Sequence, residues 1–152
     1  MSVRDALTTS LVLALMLPPT ARSAQAEGGC MPGSEFEPRT CPLELPRITR
    51  VTILRDAVKS IQETDPAVSC SGFKLTPKLV RRYLGHAKGV DPNEAHHTLD
   101  WSPCFASGEV SFADGRRGQR HIEQLRSGTL KIGDADEQIL YCPSCKFRPF
   151  QW

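Results

Sequence analysis

Residues 107–142 read SGEVSFADGRRGQRHIEQLRSGTLKIGDADEQILYC, and this stretch decides the fold. Short segments with alternating or β-branched apolar residues are separated by glycine and aspartate, which is typical of antiparallel strands joined by tight turns. Four strands are predicted, at 107–112, 119–125, 129–132 and 138–142. The turns are expected at Asp114-Gly115, Ser127-Gly128 and 133–136. The stretch therefore predicts an antiparallel meander that points Val110 and Phe112 inward.

Further elements are predicted upstream of the meander. Residues 48–54 are rich in β-branched side chains and indicate a strand that ends near Arg55, followed by a short helix over 57–63. The competing interpretation is a single helix through this region. The clearest helix signal lies at 76–89, and a turn is expected at 91–93.

Several features of the 76–89 segment indicate a helix. Thr76 can cap it, Pro77 suits the first helical position, and Gly89 suits the end. One apolar stripe is formed by Leu79, Val80, Tyr83, Leu84 and Ala87. The expected fold class is α+β: a small antiparallel β-meander of about four to five strands, packed with one or two short helices and stapled by disulfides.

The N-terminus has the layout of a cleavable signal peptide over residues 1–26. An apolar run at 11–17 is followed by Pro18-Pro19 and by the small residues of 23–26, so cleavage is expected after Ala26. The run is shorter than the ~20 residues that span a bilayer, so no stable membrane span is expected. The chain is therefore predicted to be exported, periplasmic or secreted.

The part after the leader is divided into an arm and one domain. Residues 27–46 are dense in glycine, proline and charge and predict an irregular arm. Residues 47–152 have the size of a single small α+β domain. The formal net charge of the whole chain is +2, which gives no indication of nucleic acid binding.

Six cysteines follow the leader, and an even count in an exported chain predicts disulfides. They are Cys30, Cys41, Cys70, Cys104, Cys142 and Cys145. In the preferred interpretation Cys142 and Cys145 bridge to separate partners, plausible ones being Cys104 and Cys70. Cys30 and Cys41 could staple the arm to itself or to the body, and both options stay open.

Cys142-Pro143-Ser144-Cys145 also permits a thiol-active or metal-binding accessory protein. A redox thiolate needs a helix N-terminus, and only seven residues follow Cys145. A zinc site would draw on Cys142, Cys145, Cys104 and His97, with Cys70 and His96 as further candidates. The favoured expectation is no cofactor, with zinc as the alternative.

A third class is a small hydrolase that uses the segment from His96 to Cys104, where imidazole, carboxylate, hydroxyl and sulfur are close in sequence. Two adjacent histidines on a loop cannot easily face one substrate. No strand–turn–helix pattern presents Ser102 or Cys104 as a nucleophile. The sequence therefore favours a loop fixed by packing of Trp101 and a Cys104 bridge.

Two blocks of this chain resemble a family of small exported bacterial proteins with no assigned activity. The blocks are CSGFKLT at 70–76, leading into VRRYL at 80–84, and SPCFASG at 102–108, with the CxxC at 142–145 completing the pattern. The resemblance covers roughly residues 70–145. It implies a bacterial, periplasmic setting, and it assigns no catalytic residue.

The leading functional hypothesis is a non-enzymatic binding protein of the bacterial envelope, of an inhibitory or immunity type, whose partner is another envelope protein. The candidate contacts are the aromatic and arginine side chains expected at the surface. They are Arg81, Arg82, Tyr83, Trp101, Phe105, Arg116, Arg117, Phe150 and Trp152. For the aromatic tail at 147–152, docking onto the protein's own core is favoured over contact with a partner.

Overall fold

One seven-stranded antiparallel sheet organises the computed structural model, which describes residues 29–152. In spatial order the strands are β1 (Thr40–Pro42), β3 (Lys88–Val90), β7 (Gln138–Tyr141), β6 (Ser127–Ile132), β5 (Arg117–Glu123), β4 (Cys104–Phe112) and β2 (Ile48–Lys59). The helices are α1 (Pro77–His86) and α2 (Pro92–Thr98). The signal peptide predicted at 1–26 lies outside the described residues.

The mainly antiparallel α+β architecture with disulfides agrees with the sequence prediction, but the sheet is larger than the four to five strands expected. The additional strands β1 and β3 have three residues each and pair with one another. Strands this short carry no alternation that a sequence pattern could detect. Strand β1 lies within the segment 27–46, which was expected to be irregular throughout.

Strand β2 continues past the predicted end at Arg55, and the helix expected over 57–63 is wrong. Register shifts at Ile53/Arg55 and at Arg55/Val58 allow pairing with β4 to continue to Lys59. Ala57 takes a positive φ of 52° within the second of these shifts. Bulges of this kind interrupt the alternation while the strand continues, so the pattern resembled the end of a strand.

Helix α1 begins as predicted and ends earlier. The Thr76 hydroxyl accepts a hydrogen bond from the Leu79 amide, and Pro77 opens the first turn. The helix ends at His86 because Ala87 is already extended and β3 begins at Lys88. Gly89 is therefore a strand residue and not the helix end.

Helix α2 replaces the predicted turn at Asp91-Pro92-Asn93. The Asp91 carboxylate accepts hydrogen bonds from the amides of Asn93 and Glu94, so this residue is an N-cap. Aspartate followed by proline is equally typical of a turn and of a helix start, which explains the error. As a result His96 and His97 lie on a helix and not on a loop.

The meander forms with its predicted strands, but one turn moves. Val110 and Phe112 are buried, and Gly115 has the positive φ expected at the first turn. The next turn precedes Ser127-Gly128, since both of these residues already pair with β7. Arg126 takes a positive φ of 73° to close it.

The core lies between α1 and the inner face of the sheet. Tyr83 is fully buried at its centre, and its ring stacks on Phe150 from the C-terminal tail. Gly128 allows this approach, since a Cβ there would lie 3.0 Å from the Tyr83 hydroxyl oxygen. The tail thus docks on the core through Phe150, while Trp152 stays exposed.

No helix within residues 29–152 is long and apolar enough to cross a membrane.

Among residues 29–152, Arg120 is the buried charged residue, and it lies on the inner face of the sheet. Arg120 in β5 is 3 % exposed, and one guanidinium nitrogen, Nη2, donates to the Thr52 carbonyl at 3.3 Å. Within the described chain, Nε and Nη1 have no hydrogen-bond partner. Burial lowers the pKa of Arg120 to about 10, against the opposing effect of Asp56. A buried cation with so few partners costs stability.

Replacing Arg120 with methionine is therefore expected to raise the free energy of unfolding by about 1–2 kcal/mol, because it removes the desolvated charge and keeps the apolar volume. Urea unfolding at pH 7 measures the change. Arg117→Met is the control, since Arg117 is exposed on the opposite face of the same strand, and it should change stability by less than about 0.5 kcal/mol. A loss of stability for Arg120→Met would contradict the prediction.

Candidate functional site

The six cysteines form three disulfides, but the preferred pairing of Cys142 and Cys145 with separate partners is wrong. The bridges are Cys30–Cys41, Cys70–Cys104 and Cys142–Cys145. Cys142 and Cys145 flank a tight turn in which the Cys145 amide donates a hydrogen bond to the Cys142 carbonyl. The Cα atoms of the two cysteines are 5.3 Å apart. That separation suits a bridge within the motif itself.

The residues of the zinc alternative are not brought together. Cys104 is bonded to Cys70, and Cys142 and Cys145 are bonded to each other and fully buried. His97 lies exposed on α2. No group of three or more potential ligands within residues 29–152 is arranged to hold a metal ion.

The residues of the hydrolase alternative serve local structure. The Cys104 sulfur is in a disulfide and is not a thiol. The hydroxyl of Ser102 is buried, donates to the Cys104 carbonyl at 3.1 Å and accepts from the Cys104 amide at 3.3 Å. These bonds fix the chain at the start of β4. They leave neither atom in the arrangement that nucleophilic catalysis uses.

Two of the predicted partner contacts are wrong, because Tyr83 and Phe150 are buried in the core. Tyr83 belongs to the apolar stripe of α1 and is buried with Val80 and Leu84, because the apolar stripe of an amphipathic helix faces the core.

Three of the candidate arginines are exposed but already contact other groups of the protein. Two of them are on α1, and the third follows the first hairpin turn. Arg81 Nη1 donates to the Ile48 carbonyl at 2.7 Å, and the guanidinium of Arg82 lies 3.7 Å from the centre of the Phe147 ring. Arg116 forms an ion pair with Asp114 at 2.7 Å, and its hydrogen bonds lower the pKa of that carboxyl.

The remaining candidates are Trp101, Phe105, Arg117 and Trp152. Trp152 extends from the C-terminal tail, and Arg117 lies at the start of β5. Trp101 and Phe105 both lie on the outer side of the sheet, which is the side away from α1. Arg117 is on this side as well, but at the opposite end of β5 from Glu123, which pairs with Phe105.

An outer groove runs between α2 with the loop after it and strands β5 to β7. Its volume is about 540 Å³. We define it by six of its lining residues, His96, Leu99, Trp101, Glu123, Ser127 and Ile139. Trp101 is 50 % exposed, so a large aromatic surface is left open to solvent in a concave site.

A connected set of side chains runs from the floor of the outer groove onto the neighbouring outer face of the sheet. The Ser127 hydroxyl donates to Glu123 Oε2 at 2.7 Å, and His121 Nε2 lies 3.5 Å from Glu123 Oε1. His121 stacks on Phe105 with ring centres 4.4 Å apart. The guanidinium of Arg55 lies 5.1 Å from the centre of the Phe105 ring. The position of Glu123 is therefore fixed from two sides.

This order of groups is not that of a nucleophilic triad. In a triad the imidazole stands between the hydroxyl and the carboxylate and removes the hydroxyl proton. Here the carboxylate of Glu123 stands in the middle and accepts from Ser127. The arrangement holds a carboxylate in place, which suits recognition.

Helix α2, which forms one wall of the outer groove, rests on Tyr141. Val90, Ala95 and Tyr141 form a small cluster on which Leu99 and Ile139 pack. Burial raises the pKa of the Tyr141 hydroxyl, Arg126 lowers it, and the carboxylates of Glu37 and Asp100 raise it further. The wall is thus anchored through apolar contacts, and Asp100 adds negative charge close to it.

Sequence reasoning singled out Trp101 but missed Glu123 and Ser127. Both occupy outward positions at the ends of strands β5 and β6, and the turn between those strands brings them together. The available signal was the alternation in β5, which places Ile122 inward and its neighbours outward. No known protein family, curated protein or solved structure matches this chain in sequence or fold.

Proposed function

We propose that this protein is an exported, non-enzymatic binding protein of the bacterial envelope, of an inhibitory or immunity type, and that it holds another envelope protein at the outer groove. The observation that carries the proposal is the half-exposed Trp101 in the same groove as the hydrogen-bonded Glu123 carboxylate. Exposed aromatic residues beside charged groups in a concave site are typical binding hot spots.

The disulfides support a role that requires a rigid surface. Cys70–Cys104 joins the segment before α1 to the start of β4, next to the loop that carries Trp101. Cys30–Cys41 closes the segment that docks against α2, where the Arg39 amide donates to Glu94 Oε2 at 2.6 Å. Both bridges restrain the elements that border the outer groove. A preorganised surface loses less entropy on binding.

The cysteines also bear on the thiol-active alternative. Cys142 and Cys145 are bonded to each other, as in a redox CxxC, but both residues are fully buried. Thiol–disulfide exchange requires direct attack on a sulfur atom, so burial disfavours it. We therefore place the function at the outer groove.

The proposal predicts that replacing Trp101 with alanine abolishes partner binding while the fold persists. The purified mature protein is immobilised and exposed to an envelope extract of the source bacterium, and each retained protein is quantified by mass spectrometry. At least one protein should be retained tenfold less by Trp101→Ala than by the wild type, because the substitution removes the aromatic anchor.

Trp152→Ala is the matched control, since Trp152 is also an exposed tryptophan, at 65 %, but lies on the C-terminal tail. It should retain the same protein as the wild type. Circular dichroism and urea unfolding verify that both variants are folded. Retention that is the same for all three proteins, or that is lost only with Trp152→Ala, would place the binding surface elsewhere and refute the proposal.

A further inference from the structure

The charges of the outer groove have one sign. Its lining includes the carboxylates of Asp100 and Glu123, and none of its lining residues in the described chain is a lysine or an arginine. Glu137 adds a third carboxylate at the border, where its Oε2 accepts from the Thr129 hydroxyl at 3.0 Å. The lining side chains therefore carry a net negative charge, although the whole chain has a formal charge of +2.

Arg126, in the turn between Glu123 and Ser127, is engaged away from the outer groove. Arg126 Nη1 donates to the Pro143 carbonyl at 3.0 Å, and its guanidinium lies 5.3 Å from the centre of the Tyr141 ring. These contacts direct Arg126 toward the Cys142–Cys145 turn.

The carboxylate of Glu123 has acceptor capacity to spare. An ionised carboxylate offers about four lone-pair positions. Ser127 occupies one, and His121 stands near the other oxygen at 3.5 Å. The Glu123 side chain is only 22 % exposed, so an ion pair formed there is less screened than one on an open surface.

An aromatic face lies in the same groove. Trp101 comes from the loop after α2 and Glu123 from β5, so they belong to different walls. A guanidinium is planar, stacks on an indole ring and pairs with a carboxylate through its N–H groups. Indole and carboxylate in one groove are complementary to that side chain.

From these contacts we infer that the outer groove accepts an arginine side chain of the partner protein, held between the Trp101 ring and the Glu123 carboxylate. The inference rests on the proposed function and narrows it to a partner that presents an arginine at the centre of its contact surface. An apolar or neutral polar side chain of the partner would cover the Glu123 carboxylate without compensating its charge.

Binding of short peptides tests the inference directly. The probes are acetyl-Gly-Gly-Arg-Gly-Gly-amide and the same peptide with citrulline, which keeps the size and planarity of arginine without its charge. The protein carries Trp152→Phe, so that Trp101 is the only tryptophan and its fluorescence reports on the groove. The arginine peptide should bind saturably, at least tenfold more tightly than the citrulline peptide, and more weakly as salt rises.

Two carboxylate variants separate a specific contact from general attraction. Glu123→Gln keeps an acceptor for Ser127 and should weaken the arginine peptide at least fivefold. Glu109→Gln is the matched control, because Glu109 lies on the outer face of β4 but outside the groove, and it should leave binding unchanged.

Three outcomes would overturn the inference: equal affinity for arginine and citrulline, no saturable binding of either, or an equal effect of the two glutamine variants. None of them touches the proposed function, which is decided by whether Trp101→Ala loses a partner from the extract. A partner that depends on Trp101 but binds through a neutral or apolar side chain would support the proposed function and refute the inference that the groove accepts an arginine.

Discussion

Replacing both Cys70 and Cys104 with alanine is expected to lower the free energy of unfolding by about 4 kcal/mol, a large part of the stability of a domain of this size. The two residues are 34 apart in sequence, so their bridge closes a long loop in the unfolded chain and restricts its entropy. Urea unfolding of the oxidised proteins, followed by circular dichroism, measures the difference.

The matched control is the double variant Cys142→Ala, Cys145→Ala. Both pairs are buried, so the loss of sulfur volume is similar in each. The Cys142–Cys145 bridge spans only three residues, however, and the same loop-closure argument predicts a loss of about 2 kcal/mol. A loss for this variant that equals or exceeds the loss for the first would contradict the chain-entropy explanation.

The formation of disulfides could be predicted from the sequence, but the pairing of the cysteines could not. The signal-peptide pattern and the even cysteine count led to the prediction of disulfides, which the structure contains. The pairing depended on geometry, because Cys142 and Cys145 meet only if the chain turns between them, and Cys70 meets Cys104 only after the segment before α1 has folded over β4. Spacing alone does not contain that information.

The elements with a strong local signal were predicted well. Thr76 and Pro77 fix the start of α1, and the alternation around Val110 and Phe112 fixes β4, because these signals depend on neighbours in sequence. Strand β3 was missed because its pairing with β1 and β7 comes from distant parts of the chain. Tertiary contacts decide such short segments, whatever their local propensity.

The candidate site was less predictable than the fold. Trp101 was identified because a tryptophan in a polar loop is conspicuous. Glu123 and Ser127 are ordinary polar residues in the sequence, and their hydrogen bond forms only because the chain reverses at Arg126. A groove built from a helix, the loop after it and the outer face of three strands has no signature in any single segment of the chain.

The second large effect on stability is expected at Tyr83. The sequence analysis names this residue as a candidate partner contact, whereas the structure places it in the core. Tyr83→Ala is expected to lower the free energy of unfolding by about 3–5 kcal/mol, since it opens a cavity below Phe150. A surface contact would instead cost binding and leave stability within about 0.5 kcal/mol. Urea unfolding of Tyr83→Ala decides between these locations.

Tyr83→Phe separates the ring from the hydroxyl. It keeps the packing and removes only the hydrogen bond to the Arg126 carbonyl at 3.2 Å, so a loss of about 1 kcal/mol is expected at pH 7. A loss as large as that of the alanine variant would mean that the hydroxyl, and not ring burial, dominates.

The hydroxyl also predicts how stability depends on pH. Burial, reinforced by the negative charge of Glu123, raises the pKa of Tyr83 well above its usual value. The unfolded chain ionises at the ordinary tyrosine pKa near 10, so the folded state loses relative stability as the pH rises above that value. Tyr83→Phe should reduce this alkaline loss, and unfolding curves of the two proteins at pH 8 and pH 10.5 measure it. If Tyr83 were exposed, the two proteins would lose stability in parallel, so the comparison tests its burial independently of the alanine variant.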